Sequence, residues 1–420
     1  MRLYRTLGVV CALFAVSDAR AAEPVMGAIS IEKLVADIVA NNAERRFYEA
    51  ELASARVGRR AAGRLADPEL AVEFGQKHTT NANGSLFGEG QTYSVALLQP
   101  LEFNGRIQLR RAIADRQINL AELGYSQYTV TLAARARTLA YTLFNASAKA
   151  DIARTAADRM ASVARVLVLR DPAGPSPLIE ARVIEAGAIT ARAKVQMAVQ
   201  EYNSTLYELN QLRGAPFDGH VRLITPPQAL PAIPTTDALI ARARDRNFEI
   251  RSLQTQLDQQ GLRVDLAKRG RIGLVSVGPY FRNETAATTD RFIGMHITVP
   301  LPIWNAQAGQ VAAENSRALQ AESALYLQVR MVERQVFDQA ALYRERVAAL
   351  ALIPPNSETR YRESAELADR SYRLGAVTLT TYLEAQRQYV DATTTILDAR
   401  RDAIASKLQL DVLTGEGGEQ

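Results

Sequence analysis

The stretch Asn104–Asp171, NGRIQLRRAIADRQINLAELGYSQYTVTLAARARTLAYTLFNASAKADIARTAADRMASVARVLVLRD, decides the fold. No proline falls between Pro100 and Pro172, and the only glycines inside it are Gly105 and Gly124. Proline and glycine end helices, whereas the Ala, Leu, Arg, Gln and Glu that fill the stretch favour them. One helix is therefore predicted over about residues 105–170. At ~1.5 Å per residue, about 65 residues reach roughly 100 Å. Ordinary helices run about 11–12 residues. A helix this long needs long neighbours to cover its apolar side, and the rest of the chain must supply them.

Working outward, Leu70–Phe74 alternates apolar and polar residues, Asn81–Ser85 is a polar turn, and Thr92–Leu98 returns as a strand ended by Pro100. This predicts a β-hairpin over about 69–100. A helical pattern from Ile31 to about Leu65 precedes it, broken by Asp67-Pro68. Beyond the long helix, Asp171–Pro177 is a polar break, and a helix over about 177–213 ends at Gly214 and Pro216. Residues 216–234 hold five prolines and read as a linker. Then the order repeats: a helix from Thr235 to about Lys268, a hairpin over about 272–300, a long helical stretch over about 305–373 and a helix over about 378–413. Pro354-Pro355 should break the second long helix. Pro100-Leu101 and Pro300-Leu301 each close a hairpin and are followed by an aromatic, an asparagine and a glycine within nine residues. Residues 22–215 and 235–420 thus read as two copies of one unit. In the last helix Tyr382, Tyr389 and Ile396 are seven apart, as are Leu383, Val390 and Leu397, and Ala385, Ala392 and Ala399. A seven-residue repeat imposes a coiled-coil seam. A soluble helical bundle is the competing reading, and the helix lengths argue against it.

The N-terminus is different in kind. Arg2 and Arg5 precede an apolar run, Leu7–Val16, too short to span a bilayer, and Ala19-Arg20-Ala21 offers small residues for cleavage. Residues 1–21 read as a secretory signal peptide. The single cysteine, Cys11, lies inside it, so the mature chain has no disulfide and no thiolate ligand. Lipidation at Cys11 would require the apolar run to stop at Val10, and it continues. Loss of Arg2, Arg5, Arg20 and Asp18 lowers the net charge of +5 by two. The mild remainder does not point to nucleic acid. With 47% hydrophobic residues among 420 the chain can build a large core, yet no later stretch of ~20 apolar residues could form a transmembrane helix. Such a chain is either soluble or crosses the outer membrane as strands.

Two hairpins supply four strands, too few to close a barrel, and sheet edges cannot face lipid. Several chains would have to pool strands. Three segments carry a family likeness: Leu98-Gln-Pro-Leu-Glu-Phe-Asn-Gly-Arg106, Val299-Pro-Leu-Pro-Ile-Trp-Asn305, and Tyr372-Arg-Leu-Gly-Ala-Val-Thr378 followed by Leu383-Glu-Ala-Gln-Arg387. In these, and in the order of elements over the whole mature chain, the sequence resembles the TolC-like outer-membrane efflux channels. The first two segments look most like the branch serving heavy-metal pumps of the cobalt–zinc–cadmium type. The resemblance implies a mainly α fold with a small β part, and a homotrimer whose twelve-stranded barrel sits in outer-membrane lipid and continues into a periplasmic α-helical barrel. It implies two partners, a periplasmic adaptor (a membrane fusion protein) and a proton-driven, RND-type inner-membrane pump. The implied function is a passive exit duct, with divalent heavy-metal cations as cargo and drugs, solvents or a secreted polypeptide as alternatives. A periplasmic coiled-coil adaptor fits less well, because it would carry one helical hairpin between β-rich halves.

Candidate functional residues follow from this frame. Alternation over Phe292–Val299 puts Ile293, Met295, Ile297 and Val299 on one face, suited to lipid, and Phe292, Gly294, His296 and Thr298 on the other, suited to a lumen. His296 is isolated from His78 and His220, so it reads as a lumen residue rather than a metal ligand. Basic groups flank the hairpins: Arg59, Arg60 and Arg64; Lys268, Arg269 and Arg271; Arg106, Arg110 and Arg111. They suit either lipid phosphates or, for the first two groups, the negative ends of helices. By the resemblance, the turns at Gly174 and Gly375 form a periplasmic tip that meets the adaptor, with Ser176, Leu374 and Thr378 beside them. Ser176 and Thr378 also suit simple helix capping. Glu180 and Glu384 stand near these turns and are the candidate gate; Thr381 departs from the family's acid at that place. Solvated helical glutamates are the competing reading. No catalytic constellation, phosphate loop, cofactor motif or zinc spacing is present, which points away from an enzyme.

Overall fold

The computed structural model describes residues 28–169, 175–226, 230–270, 273–301 and 306–416. The expected signal peptide with Cys11, the turn residue Gly174, the Ser176 side chain, Arg271 and Asn305 lie outside the described residues.

The deciding stretch forms a single helix, α3 (Arg106–Leu169), 64 residues long. Asn104 and Gly105, at φ 62° and 69°, turn the chain out of the preceding strand and into it. Ala136, Ala140, Leu143, Ala146, Ala150, Ala153 and Ala157 are buried at steps of three and four, a stripe of mostly small side chains along the helix. Against it lies α4 (Pro175–Arg213). Upstream come α1 (Ile31–Asn41), α2 (Arg45–Ala62), β1 (Glu69–Thr80) and β2 (Leu86–Leu101). The second half repeats the order with α5 (Thr236–Arg246), α6 (Phe248–Arg269), β3 (Val275–Thr285), β4 (Thr289–Thr298), α7 (Ala306–Ala351), α8 (Ser357–Arg373) and α9 (Leu379–Thr414).

One sequence expectation is corrected twice over. The helices expected from Ile31 to about Leu65 and from Thr235 to about Lys268 are each a pair, broken at Asn42 and Asn247. The cause is the same in both halves. The asparagine backbone is extended, its Oδ1 accepts from a backbone N–H at the start of the next helix (Glu44, the residue before α2, at 2.9 Å; Glu249 in α6 at 3.0 Å), and its Nδ2 donates to a distant carbonyl. That carbonyl is Leu212 at 2.8 Å in the first half and Leu413 at 3.0 Å in the second. The second long helix is interrupted at Pro354-Pro355, where Asn356 takes φ 60° and restarts the chain as α8.

The four strands form one antiparallel sheet in the order β1-β2-β3-β4. The pairing of β2 with β3, such as Val95 with Phe281, joins the two halves. At Gly278 a Cβ would fall 1.7 Å from the Leu97 carbonyl oxygen, so this seam needs glycine. Next to the sheet the helices lie side by side as α2-α3-α6-α7; farther away α4, α3, α9 and then α7 and α8 take over. Each half has its own core, and the two are equivalent. One gathers Leu34, Ile38, Leu143 and Leu209, and the other Leu239, Ala243, Val332, Val336 and Leu410. In α9 the seven-residue seam of Tyr382, Tyr389 and Ile396 runs on through Ala403 and Leu410, all buried.

Candidate functional site

Directly opposed residues of an antiparallel pair share a face. The register therefore collects one apolar face from all four strands: Leu70, Val72 and Phe74; Tyr93, Val95 and Leu97; Val277, Pro279 and Phe281; Ile293, Met295 and Ile297. Phe74 is 83% exposed and Ile293 85%, so no described residue covers this face. Val299, expected to continue it, lies just past β4 and is exposed. The opposite face carries Glu73, Lys77, Ser94, Tyr280, Arg282, Glu284, Asp290, His296 and Thr298. Lys77 pairs there with Glu284 at 2.8 Å and Asp290 at 3.3 Å, so the charges largely neutralise one another. His296 contacts Thr298 Oγ1 at 3.1 Å and meets the Tyr280 ring edge-on. Sequence reasoning assigned only the β4 part of the apolar face; alternation in Leu70–Phe74 and Tyr93–Leu97 was the signal for the rest.

Among the described residues, the outer members of every layer lack partners on one side. In the sheet order, β1 and β4 each bond along a single edge. Among the helices, α2 buries no residue and shows Phe47 and Val57. At the other side, α7 shows Leu319, Tyr326 and Phe337, spaced by seven and eleven residues and hence on one face. Farther down, α4 shows Ile179, Val183, Ile189 and Met197, while α8 shows Leu367.

At the end farthest from the sheet, Gly375 (φ 75°) follows α8, and Leu374 beside it is 84% exposed. Thr378 caps α9, its hydroxyl accepting from Thr381 N at 3.3 Å. Glu180 accepts a hydrogen bond from the Tyr372 hydroxyl at 3.1 Å, which ties α4 to α8. Glu384 is exposed, pairs with Arg387 at 3.4 Å and accepts from Gln388 Nε2 at 2.6 Å. The two glutamates are thus held near the same end with separate partners. Between them Tyr372 and Tyr382 stack at 5.0 Å. Higher up, α3 and α9 are stitched by Lys149 with Asp398 at 2.6 Å and by Asn145 Nδ2 with the same carboxylate at 2.9 Å. Among the described residues, no group of three or more metal-ligating side chains converges, and no helix is long and apolar enough to cross a membrane.

An amphipathic sheet standing on a layer of very long helices, open along both sides, is the class of chain these features define. Neither a protein-family model nor a curated protein matches the sequence. Solved structures do. CusC aligns over 92% of this chain and 92% of its own at TM-score 0.70 and 14% identity. The CmeC outer membrane channel of Campylobacter jejuni covers 93% and 87% at 0.69 and 14%. The MtrE outer membrane channel of Neisseria gonorrhoeae, in its open state, covers 92% and 89% at 0.69 and 15%. The chain shares the fold of these channel proteins along nearly its whole length.

Proposed function

We propose that the chain is the outer-membrane channel of a tripartite efflux system and works as a homotrimer. The observation that carries this reading is the four-stranded sheet with one uncovered apolar face, one polar face and two unpaired edges, β1 and β4. Lipid is the solvent for which an uncovered apolar sheet face is suited, and in lipid the edges must pair. Rotation of three copies about one axis brings β4 of each to β1 of the next and closes twelve strands. The same rotation sets the exposed stripe of α7 against α2 of the next copy, and α8 against α4. The shared fold of CusC, CmeC and MtrE, the first described for transmembrane channel formation and the others as outer membrane channels, supports the same reading.

In this assembly Ile293, Met295, Ile297 and Val299 meet lipid and His296 and Thr298 meet the lumen. The turns at Gly174 to Ser176 and Leu374 to Thr378 form the periplasmic tip that contacts an adaptor, and Glu180 and Glu384 stand at the gate. Energy comes from an inner-membrane pump. The heavy-metal character of the segments at Leu98–Arg106 and Val299–Asn305 favours divalent cations as cargo. Outer-membrane fractionation and the mass of the detergent-solubilised protein test the core of the proposal. A membrane-embedded particle of three chains is the expected result, and a soluble or stably monomeric protein overturns it. Loss of cobalt, zinc or cadmium tolerance on deletion, without drug sensitivity, tests the cargo.

A further inference from the structure

The strand–helix junction concentrates arginine beyond what the fold needs. Arg110 donates to the Arg64 carbonyl at 2.9 Å, Arg111 to the Gly63 carbonyl at 3.1 Å, and Arg269 to the Asn104 carbonyl at 2.8 Å. These bonds draw the end of α2, the start of α3 and the end of α6 into one cluster, with Arg64 and Arg106 in the same turns. Among the described residues the one carboxylate inside it is Glu102, its side chain 5% exposed, which pairs with Arg110 at 2.9 Å. Carbonyl partners orient the Arg111 and Arg269 guanidinium groups without neutralising them, and among the described residues Arg64, Arg106, Arg111 and Arg269 pair with no carboxylate. Asp67 and Glu69, the next acids along the chain, pair with none of these arginines among the described residues. Three buried polar atoms here, Glu102 Oε2, Arg106 Nε and Arg110 Nε, have no partner. Immediately toward the strands stand Leu65, Phe103 and Leu301, all exposed.

Exposed apolar side chains followed within a helical turn by oriented, unneutralised guanidinium groups reproduce the boundary between hydrocarbon and headgroup. We propose that this arginine junction binds the phosphate of anionic phospholipid headgroups in the periplasmic leaflet. The inference rests on the channel reading above, which places the sheet in the outer membrane. Fixed guanidinium forks favour a phosphodiester, and their net charge favours a headgroup without a compensating ammonium group. Dipole compensation at helix ends accounts for the bonds to Gly63 and Arg64 carbonyls, but not for the excess of charge over the single buried acid.

The test uses the full-length protein in a mild non-ionic detergent, offered equal amounts of phosphatidylglycerol and phosphatidylcholine, with bound lipid counted by native mass spectrometry. The wild type should retain phosphatidylglycerol about fivefold more than phosphatidylcholine. The double variant Arg64→Gln/Arg111→Gln leaves the Glu102–Arg110 pair intact and should fall below about twofold with the oligomer mass unchanged. The pair Arg182→Gln/Arg334→Gln, on α4 and α7, should keep the wild-type ratio. Equal retention of the two lipids by the wild type, or an unchanged ratio in the junction variant, overturns the inference. So does binding of added inorganic phosphate without lipid preference, which makes the cluster a free-anion site. Dissociation of the oligomer in the junction variant also overturns it, by assigning these arginines to a contact between copies. A membrane-inserted oligomer without headgroup preference removes this inference and leaves the channel reading standing.

Discussion

Tyr343 and Tyr382 are the two largest of the fully buried side chains, and their hydroxyls fare differently. Tyr343 donates to the Pro231 carbonyl at 2.6 Å, whereas the Tyr382 hydroxyl has no partner. Burial pushes both phenols up, so both stay protonated at physiological pH. Removing a bonded hydroxyl strands its acceptor, while removing an unpartnered one relieves a desolvation cost, with each effect about 1–3 kcal/mol. Tyr343→Phe should therefore lower the melting temperature, and Tyr382→Phe should leave it unchanged or raise it. A drop at Tyr382 equal to that at Tyr343 would mean that the buried hydroxyl does have a partner within the chain's core. A second contrast at this scale tests the faces of β4. Arg at Ile297 would face lipid, at roughly 2–4 kcal/mol near the midplane, and Arg at Thr298 would face the lumen. Ile297→Arg should abolish assembly, measured as the yield of heat-resistant oligomer, where Thr298→Arg is tolerated. Equal tolerance would reverse the assignment of the faces.

At the scale of elements, the two halves end alike. Gly214 and Gly415 close α4 and α9 in the left-handed region, at φ 69° and 71°. Any side chain there costs about 1–2 kcal/mol of backbone strain. The space around them differs: a Cβ on Gly214 would meet only the Asn41 carbonyl oxygen at 3.7 Å, but on Gly415 it would meet the Arg246 carbonyl oxygen at 2.8 Å. Gly415→Ala should thus lower the melting temperature more than Gly214→Ala, and the reverse order would show that the end of α9 is not the more tightly packed of the two. These ends also show what could be read from sequence. Long helices and hairpins were legible because proline and glycine punctuate them and because the pattern occurs twice. The breaks at Asn42 and Asn247 were not, since asparagine inside a helical pattern costs little and its partners, Leu212 and Leu413, lie some 170 residues away. The repeat did hold a signal: each asparagine follows its helix cap, Ser30 or Thr235, by twelve residues. Of the candidate site, the alternation of β4 was plain, while the clasp of Arg110 and Arg111 on α2 needed the fold to bring it together.

At the scale of the whole molecule, the proposed gate is where three copies would have the largest effect. In a trimer Glu180 and Glu384 occur three times each near the periplasmic end, and acids gathered around a narrow opening attract multivalent cations more strongly where low-dielectric walls focus the field. The two positions are held differently. The bond from Tyr372 to Glu180 fixes one carboxylate against α8, so its place depends on how the two helical hairpins of a chain sit together. Glu384 is exposed, and its partners Arg387 and Gln388 lie on its own helix, so it moves with α9. Di- or trivalent cations added on the periplasmic side of a planar bilayer should then block the inserted channel. Glu384→Ala should weaken the block most, because its carboxylate is the more accessible, and Glu180→Ala should add to that loss. Arg387 tempers the field of Glu384, so Arg387→Ala should strengthen the block, the opposite sign from the glutamate variants. Raising the ionic strength should shrink all three differences, since the Debye length falls from about 10 Å at 0.1 M to about 3 Å at 1 M. Unchanged cation block in the double alanine variant, at normal conductance, would place both glutamates on the outside of the tunnel and remove them from the gate.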